Sequence, residues 1–375
     1  MKILCWMILV DKRTYKPTQK RINSWPRQLF ISALSIFLLV LASACGSGSK
    51  VVQFSGPIMG TEYSLTLMCE EDKSAEAWQA ELLPIMESVN QSMSTYIPDS
   101  ELMQFNRSTS TDFQTASEAL LYVFSVAQRV SNETNGALDV TVQPLVELWG
   151  FGTNKLKSLT ETPIIPSSEV LAEIAEYVGF KKLEFDSSFT HWRKTHPQVE
   201  VDFSAIAKGY AVDLVSNYLT VSGCQNHLVD IGGELKAEGL NSKGKAWRLA
   251  VEKPESNNSF QALIDVSGVA VASSGDYRNF HLIDGKRYSH TVDPRTLKPI
   301  DHNLAAVTVI DPIAARADAL ATAFMVMGEE AIDFAKEKKI PALFIYRTPI
   351  LAGNDKQEYQ VLYSEAFEQY LVNQQ

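Results

Sequence analysis

From Val51 onward, short runs of alternating polar and apolar residues are interspersed with stretches whose apolar residues recur every three or four positions. Glu62 to Met68 alternates as a half-buried strand does, while Trp78, Leu82, Ile85, Val89 and Met93 share one face of a helix that Pro84 should bend. Further helices are predicted over Ala116 to Thr134, stopped by Gly136, and over Ser168 to Val178, stopped by Gly179. Val199 to Phe203 reads as a strand feeding a helix from Ala205 to Leu219. Strands follow at His227 to Ile231, Trp247 to Val251, Arg287 to Val292, Leu304 to Ile310 and Pro341 to Tyr346. Helices at Ala314 to Met327 and Glu329 to Lys336 separate the last two. This mixture lacks the strict βαβα order of a doubly wound sheet, so the expected class is α+β. A chain of 375 residues is too long for one small core and suits one large domain or two packed subdomains, with no composition break to mark a boundary between them.

Ahead of this body, Leu29 to Ala44 is an unbroken run of apolar and small residues, shorter than the roughly 20 residues a bilayer-spanning helix needs. It ends in Leu41-Ala42-Ser43-Ala44-Cys45, followed by the flexible Gly46-Ser47-Gly48-Ser49. The pattern resembles a bacterial lipoprotein signal, in which cleavage leaves the Cys as a diacylated N-terminus, although Leu41 sits one place further from the Cys than is usual. Cys45 is therefore the candidate lipidation site; simple cleavage and an uncleaved anchor are the other readings. The stretch before Arg27 is long for a signal, which is expected if the start site lies downstream of the first 20 or so residues. The expected organisation is a signal over 1–44, a lipidated Cys and tether over 45–50, and the working domain over 51–375.

With 45% hydrophobic and 21% charged residues the composition is globular, which excludes wholesale disorder and a polytopic membrane protein. The formal charge of −10 is unevenly spread: seven basic residues against Asp11 alone give the first 44 positions +6, and the remainder carries −16. So acidic a body, without clustered Lys and Arg, is a poor partner for nucleic acid. Setting aside Cys5 and Cys45 leaves Cys69 and Cys224, enough for at most one bridge in an oxidising compartment. No CxxC or Cys/His cluster points to zinc.

Three segments carry chemistry. In Val201-Asp202-Phe203-Ser204-Ala205-Ile206-Ala207-Lys208-Gly209 a strand gives way to a helix bearing Lys208 near its first turns, a geometry suited to an anion, although an ordinary surface lysine gives the same pattern. Asp318 and Thr322, at i and i+4, offer two hard oxygen ligands on one helical face, suited to Mg²⁺ held jointly with phosphates; a cap and a back-bonded hydroxyl are the plainer reading. His290, in Arg287-Tyr288-Ser289-His290-Thr291-Val292-Asp293-Pro294-Arg295-Thr296, sits where a general base or a structural histidine would. The loop Ala272-Ser273-Ser274-Gly275-Asp276-Tyr277-Arg278 and the step Asp230-Ile231-Gly232-Gly233-Glu234 are similar in character, the glycines supplying a tight turn. Toward the N-terminus, Met59-Gly60-Thr61 follows a Gly-Pro turn, Tyr96 offers a ring for stacking, and Gly136-Ala137-Leu138-Asp139 opens a run that ends in Leu148-Trp149-Gly150-Phe151-Gly152.

The order and spacing of these groups, from Met59 to Gly328, closely resemble the FAD:protein FMN transferases, the ApbE family, over essentially the whole chain after the tether. The resemblance implies an α+β fold of two intimately packed parts with the flavin nucleotide between them. It implies that Met59, Tyr96, Ala137, Leu138, Asp139, Asp202, Lys208 and Val292 line the FAD site, and that Mg²⁺ is held by the Asp318 carboxylate, the Thr322 hydroxyl and the Ala205 carbonyl. Ser204-Ala205 stands where many relatives have Gly-Gly, an exchange a backbone ligand survives, and Leu297 stands where a Gly commonly follows the Arg-Thr pair.

The activity so implied is transfer of FMN from FAD to a Ser or Thr hydroxyl of a target protein, with release of AMP. His290, beside the flavin-lining Val292, is the candidate base. The alternatives are an FAD pyrophosphatase giving FMN and AMP, or a non-catalytic flavin-binding lipoprotein, which the intact Asp318, Thr322, Lys208 and His290 argue against. The family commonly flavinylates subunits of the Na⁺-translocating NADH:quinone reductase and related electron-transport complexes, so the implied partner lies at the inner membrane, with the enzyme lipid-anchored on the periplasmic side. Gly46 lacks the acidic character often linked to inner-membrane retention, which leaves the outer membrane open.

Overall fold

The computed structural model describes residues 50–152, 165–254, 259–277, 280–283, 286–349 and 357–372; the apolar run 29–44, Cys45 and the tether lie outside them. Val51–Gln375 forms one compact unit. The strands are β1 (Val51–Ile58), β2 (Thr61–Met68), β3 (Gln114–Thr115), β4 (Leu183–Phe185), β5 (His191–Lys194), β6 (Asn226–Ile231), β7 (Glu234–Glu238), β8 (Trp247–Glu252) and β9 (Phe260–Val266). After them come β10 (Val269–Gly275), β11 (Phe280–Ile283), β12 (Lys286–Ser289), β13 (Val292–Asp293), β14 (Lys298–Pro299), β15 (Leu304–Asp311), β16 (Ala342–Arg347) and β17 (Tyr359–Tyr363). The helices used below are α1 (Ala75–Met93), α2 (Glu101–Arg107), α3 (Glu118–Glu133), α4 (Gln143–Leu148), α5 (Ser168–Ala175), α6 (Ala207–Val221), α7 (Ala314–Met327) and α8 (Glu330–Glu337).

An eight-stranded antiparallel sheet, in the order β1-β2-β6-β7-β10-β15-β16-β17, is the frame. Its central strands β15 and β16 are buried on both faces because both are covered, whereas β1 and β2 alternate between more and less exposed residues. Ala270 and Ala272 of β10, Val307 and Val309 of β15 and Phe344 of β16 point to the main core with the helices, whereas Val271, Ile310, Leu343 and Ile345 pack on the hairpin β8–β9 and Phe367. Helix α7 is buried nearly all round, and its six alanines allow close approach to its neighbours. A third, smaller cluster joins Leu145, Trp149 and Phe151 to Leu171, Ile174, Val178 and Val292.

The α+β expectation holds, and α7 has the bounds its pattern predicts. The helix around Trp78 runs unbroken through the exposed Pro84, and the fifth buried position on its face is Met86, where the pattern had Ile85. Val199 to Phe203 is not a strand. Its Val199, Val201 and Phe203 are fully buried in alternation, yet no strand lies beside it. Its backbone bonds go elsewhere: Val201 exchanges both its bonds with the Asn106 side chain, the Lys194 ammonium donates to the Val199 carbonyl, and the Asp202 N–H donates to the Val140 carbonyl. Ala272 to Gly275, expected in a loop, belongs to β10. Gly56-Pro57 lies inside the edge strand β1, where a missing N–H is tolerated, and the turn comes after it, at Met59 and Gly60, both in the left-handed region. The predicted strand Arg287 to Val292 is broken at His290 into β12 and β13.

Cys69 and Cys224 form a disulfide with a Cα–Cα distance of 4.5 Å, across a sequence separation of 155. Next to it, the fully buried His227 donates from Nδ1 to the Cys224 carbonyl at 2.8 Å, so Nε2 accepts from the Ser216 hydroxyl at 2.8 Å. This arrangement suits the neutral ring, and burial depresses the His227 pKa to about 4. The unfolded chain, with an ordinary value near 6.5, takes up the proton first. The stabilisation is therefore complete above about pH 6.5 and is lost as pH falls toward 4, by up to about 1.4 kcal/mol per pH unit. Denaturant unfolding at pH 7, 6 and 5 should show this decline, and His227→Gln should flatten it.

Candidate functional site: a lysine between two buried carboxylates

The site is assembled where α6 and α7 cross at the end of the sheet. Gly209 permits the crossing: a Cβ there would lie 2.3 Å from the Ala314 carbonyl oxygen and 2.8 Å from the Ala315 Cα. Helix α7 has no capping side chain of its own, and α6 supplies one across the contact. The Asp213 carboxylate accepts from the Ala314 and Ala315 N–H groups at 3.0 Å each, as an N-cap does, and from Lys236 at 2.8 Å. The Gly209 N–H in turn donates to Asp318 Oδ2 at 3.2 Å.

These contacts place Lys208 Nζ 3.6 Å from Asp318 Oδ2 and 3.3 Å from Glu234 Oε1, with the Ser204 carbonyl at 3.5 Å. The Asp318 and Glu234 side chains are 4% and 5% exposed, the lysine 27%, so the charges face one another largely out of water. Burial would lower the Lys208 pKa, but Asp318 and Glu234 outweigh it and hold the value above the ordinary one; the ammonium stays charged at neutral pH. Burial raises Glu234 and Asp318, with Lys208 pulling each back. Glu234 Oε2 is buried and has no hydrogen-bond partner.

The turn that delivers Glu234 is fixed from both sides. Gly232 and Gly233 have φ of 65° and 98°; the Gly232 N–H donates to the Glu62 carbonyl and the Gly233 N–H to Asp230 Oδ1. A Cβ on Gly232 would meet Thr61 at 2.8 Å and Lys208 at 3.2 Å, so the Met59–Gly60 turn with Thr61 lies against the lysine. Thr322, one turn beyond Asp318, has its hydroxyl 3.4 Å from that of Ser274 on β10.

The other predicted residues form two further groups. Ala137, Leu138 and Asp139 are buried and adjoin Asp202 through the bond between Asp202 N–H and Val140. Asp139 is engaged structurally: its carboxylate accepts from the Thr141 N–H and hydroxyl and from the Phe180 N–H at 2.7 Å. Asp202, its pKa raised by burial, accepts from the Ser204 N–H and hydroxyl and so shapes the turn leading to Ala205 and α6. In the last group His290 faces Phe151 edge to face at 6.5 Å, and Val292 packs in the third cluster. The hairpin β11–β12 that leads to His290 is tied to the end of β10 by the buried Asp276, which binds both Arg287 and Arg347. Leu297 adopts the left-handed conformation, φ 63°, that a glycine would enter freely, and its carbonyl accepts from Trp149 Nε1. Tyr96 stands apart: it is 75% exposed, beyond the end of α1.

Sequence patterning missed Glu234. Alternation along β7 puts Glu234 and Lys236 on one face and Leu235 and Ala237 on the other; α6 covers the first face, where its Lys208 and Asp213 pair with Glu234 and Lys236, while Leu235 and Ala237 pack with the β8–β9 hairpin.

An ion held through Asp318, Thr322 and the Ala205 carbonyl would meet hard oxygen donors of the kind Mg²⁺ prefers. The unpartnered Glu234 Oε2 shows that the buried acids have acceptor capacity that Lys208 leaves unfilled. Among the described residues no group of three or more His, Cys, Asp or Glu side chains could hold a metal ion by itself. The residues fit the ion.

The model of the ApbE family matches residues 59–344. The chain is 41% identical over 313 residues to an FAD:protein FMN transferase of Vibrio cholerae, covering 83% of this chain and 92% of that one. It is 38% identical over 330 residues to one of Haemophilus influenzae, covering 86% and 94%. The structure is similar to that of the flavin transferase ApbE from Vibrio cholerae, with a TM-score of 0.76 and 39% identity over 86% of this chain and 99% of that one. The apo flavinyl transferase ApbE of Pseudomonas stutzeri also gives a TM-score of 0.76, at 36% identity over 85% and 96%.

Gly209→Ala should force α6 and α7 apart and cost on the order of 1–3 kcal/mol, because the obstructing atoms are backbone. Thermal unfolding of the variant beside the parent protein measures it.

Proposed function

The chain belongs to the ApbE family, and on that premise we propose that it is an FAD:protein FMN transferase that moves FMN from FAD onto a Ser or Thr hydroxyl of a protein acceptor and releases AMP. The observation that carries the reading is the charged Lys208 held at the mouth of α6 beside two buried carboxylates, in a fold shared with flavin transferases.

Lys208 donates to the pyrophosphate of FAD, and the segments around Ala137 to Asp139, Asp202, Met59 and Val292 enclose the nucleotide. Tyr96, exposed in the free protein, is available to stack on a planar ring. Asp318, Thr322 and the Ala205 carbonyl would hold Mg²⁺, which would supply charge neutralisation for the phosphoryl transfer. His290 removes the proton from the acceptor hydroxyl; the oxygen attacks the FMN phosphorus, a new P–O bond forms, the bond to the AMP phosphate breaks, and AMP leaves carrying the pyrophosphate electrons. Asp276 holds Arg287, and so the hairpin that presents His290.

The acceptor we propose is a subunit of the Na⁺-translocating NADH:quinone reductase or a related electron-transport complex, reached from the periplasmic side by an enzyme lipid-anchored through Cys45 at the inner membrane. The Cys69–Cys224 disulfide supports export to an oxidising compartment. Among the described residues no helix is long and apolar enough to cross a membrane.

Incubation with FAD, Mg²⁺ and a candidate acceptor, followed by denaturing electrophoresis, should leave flavin fluorescence on the acceptor; free FMN alone would mean hydrolysis. EDTA should abolish transfer, and Asp318→Ala should lose activity far more than folded protein; unchanged turnover in EDTA sinks the metal assignment. His290→Asn should lower the transfer rate by about 10²-fold or more with FAD bound as before. Near-full transfer by that variant would remove His290 from the mechanism.

A further inference from the structure

Lys208 is shared. Its ammonium lies 3.3 Å from Glu234 Oε1 and 3.6 Å from Asp318 Oδ2, so neither carboxylate holds it alone. Asp318 also accepts from the Gly209 N–H, whereas the second oxygen of Glu234 is buried without a partner. A buried carboxylate with one oxygen empty is poorly satisfied, and its position is set by a turn held by the Gly232 N–H on the Glu62 carbonyl and the Gly233 N–H on Asp230. The ammonium, on a flexible stem with three donors, can move from between the acids fully onto Glu234, reaching both its oxygens.

We propose that Glu234 is a positioning residue for Lys208: it draws the lysine off Asp318 when a divalent cation takes that carboxylate, so that lysine and cation occupy adjacent places instead of competing for one. This rests on the metal reading given above and adds a residue to it. Without Glu234 the ammonium has only Asp318 and the Ser204 carbonyl as partners, and a cation must displace it outright. Glu234 thus acts on the metal through the lysine, with no requirement that it touch the ion or the substrate. The empty oxygen is then the place the lysine moves to.

The test is Mg²⁺ binding to the folded protein by calorimetric titration in the absence of FAD, in a double-mutant cycle. Glu234→Gln, which preserves shape, should weaken Mg²⁺ binding about tenfold or more, and Glu234→Asp should recover part of the loss. In the Lys208→Met background, where no ammonium competes, Glu234→Gln should change Mg²⁺ affinity less than about threefold. Undiminished weakening in that background would mean that Glu234 acts on the ion directly, and would overturn the proposal. Wild-type affinity in the single Glu234→Gln variant would overturn it as well. Failure of the parent protein itself to bind Mg²⁺ would instead sink the metal reading, and this inference with it. Circular dichroism and thermal unfolding establish that each variant is folded, and the KM for FAD of Glu234→Gln should return toward the parent value at saturating Mg²⁺, which a general structural defect would not allow.

Discussion

The contact between α6 and α7 is the constraint on which the rest of the structure depends. One helix begins with Lys208 and the other carries Asp318 and Thr322, and their chemistry requires the two axes to stand closer than ordinary side chains permit. Gly209 removes the obstruction, the alanines of α7 continue the fit, and Asp213 caps one helix from the other. Backbone groups of each helix are thereby satisfied by side chains of its neighbour, so the pair is set by hydrogen bonds as well as by packing. The sheet beneath adds the third wall through the turn at Gly232-Gly233 and the buried end of β7.

That arrangement accounts for how charge is tolerated inside an acidic protein. Two acids share one lysine in a poorly hydrated place, where burial raises both of their pKa values and Lys208 pulls each back. The chain after residue 44 carries −16, which repels an anionic substrate. Other buried charges are handled differently. Lys194 donates to the carbonyls of Asn106 and Val199, and Asp276 is paired with two arginines. Those two sets hold chain segments in place, while the set around Lys208 retains an unfilled oxygen.

Much of this was legible in the sequence, for reasons that particular elements make clear. The i and i+4 spacing of Asp318 and Thr322 needs only a helix to become a shared face, and α7 is the helix its composition predicts. Lys208 was readable because the small residues before it forced a turn into a helix. Local pattern failed where tertiary partners replaced local ones. Val199 to Phe203 has the alternation of a strand, but Asn106, Lys194 and Val140 take its backbone bonds. Glu234 stood in the sequence only as the end of the Asp230 to Glu234 step, and its burial comes from α6 lying over the face of β7 that it shares with Lys236. Counting left Cys69 and Cys224 able to form at most one bridge, and the structure shows that they meet. Leu297 was visible as an oddity in a glycine position, and its left-handed backbone shows what the oddity costs.

The disulfide divides the molecule in a way that neither the sheet nor the core does. Everything from Cys69 to Cys224 becomes a covalent ring, and everything after it an open tail. Ala137, Asp139, Asp202, Ala205 and Lys208 belong to the ring; Glu234, His290, Val292, Asp318 and Thr322 belong to the tail. Closing a loop of that length restricts the unfolded chain by roughly 5 kcal/mol on a chain-entropy account. The restraint falls on one half of the site alone, so the lysine is tethered in a loop that persists through unfolding while its acidic partners remain free to wander. Reassembly of the charge cluster is then the docking of a linear segment onto a pre-gathered ring, and a chain synthesised where the thiols stay reduced begins that search with both halves unconfined.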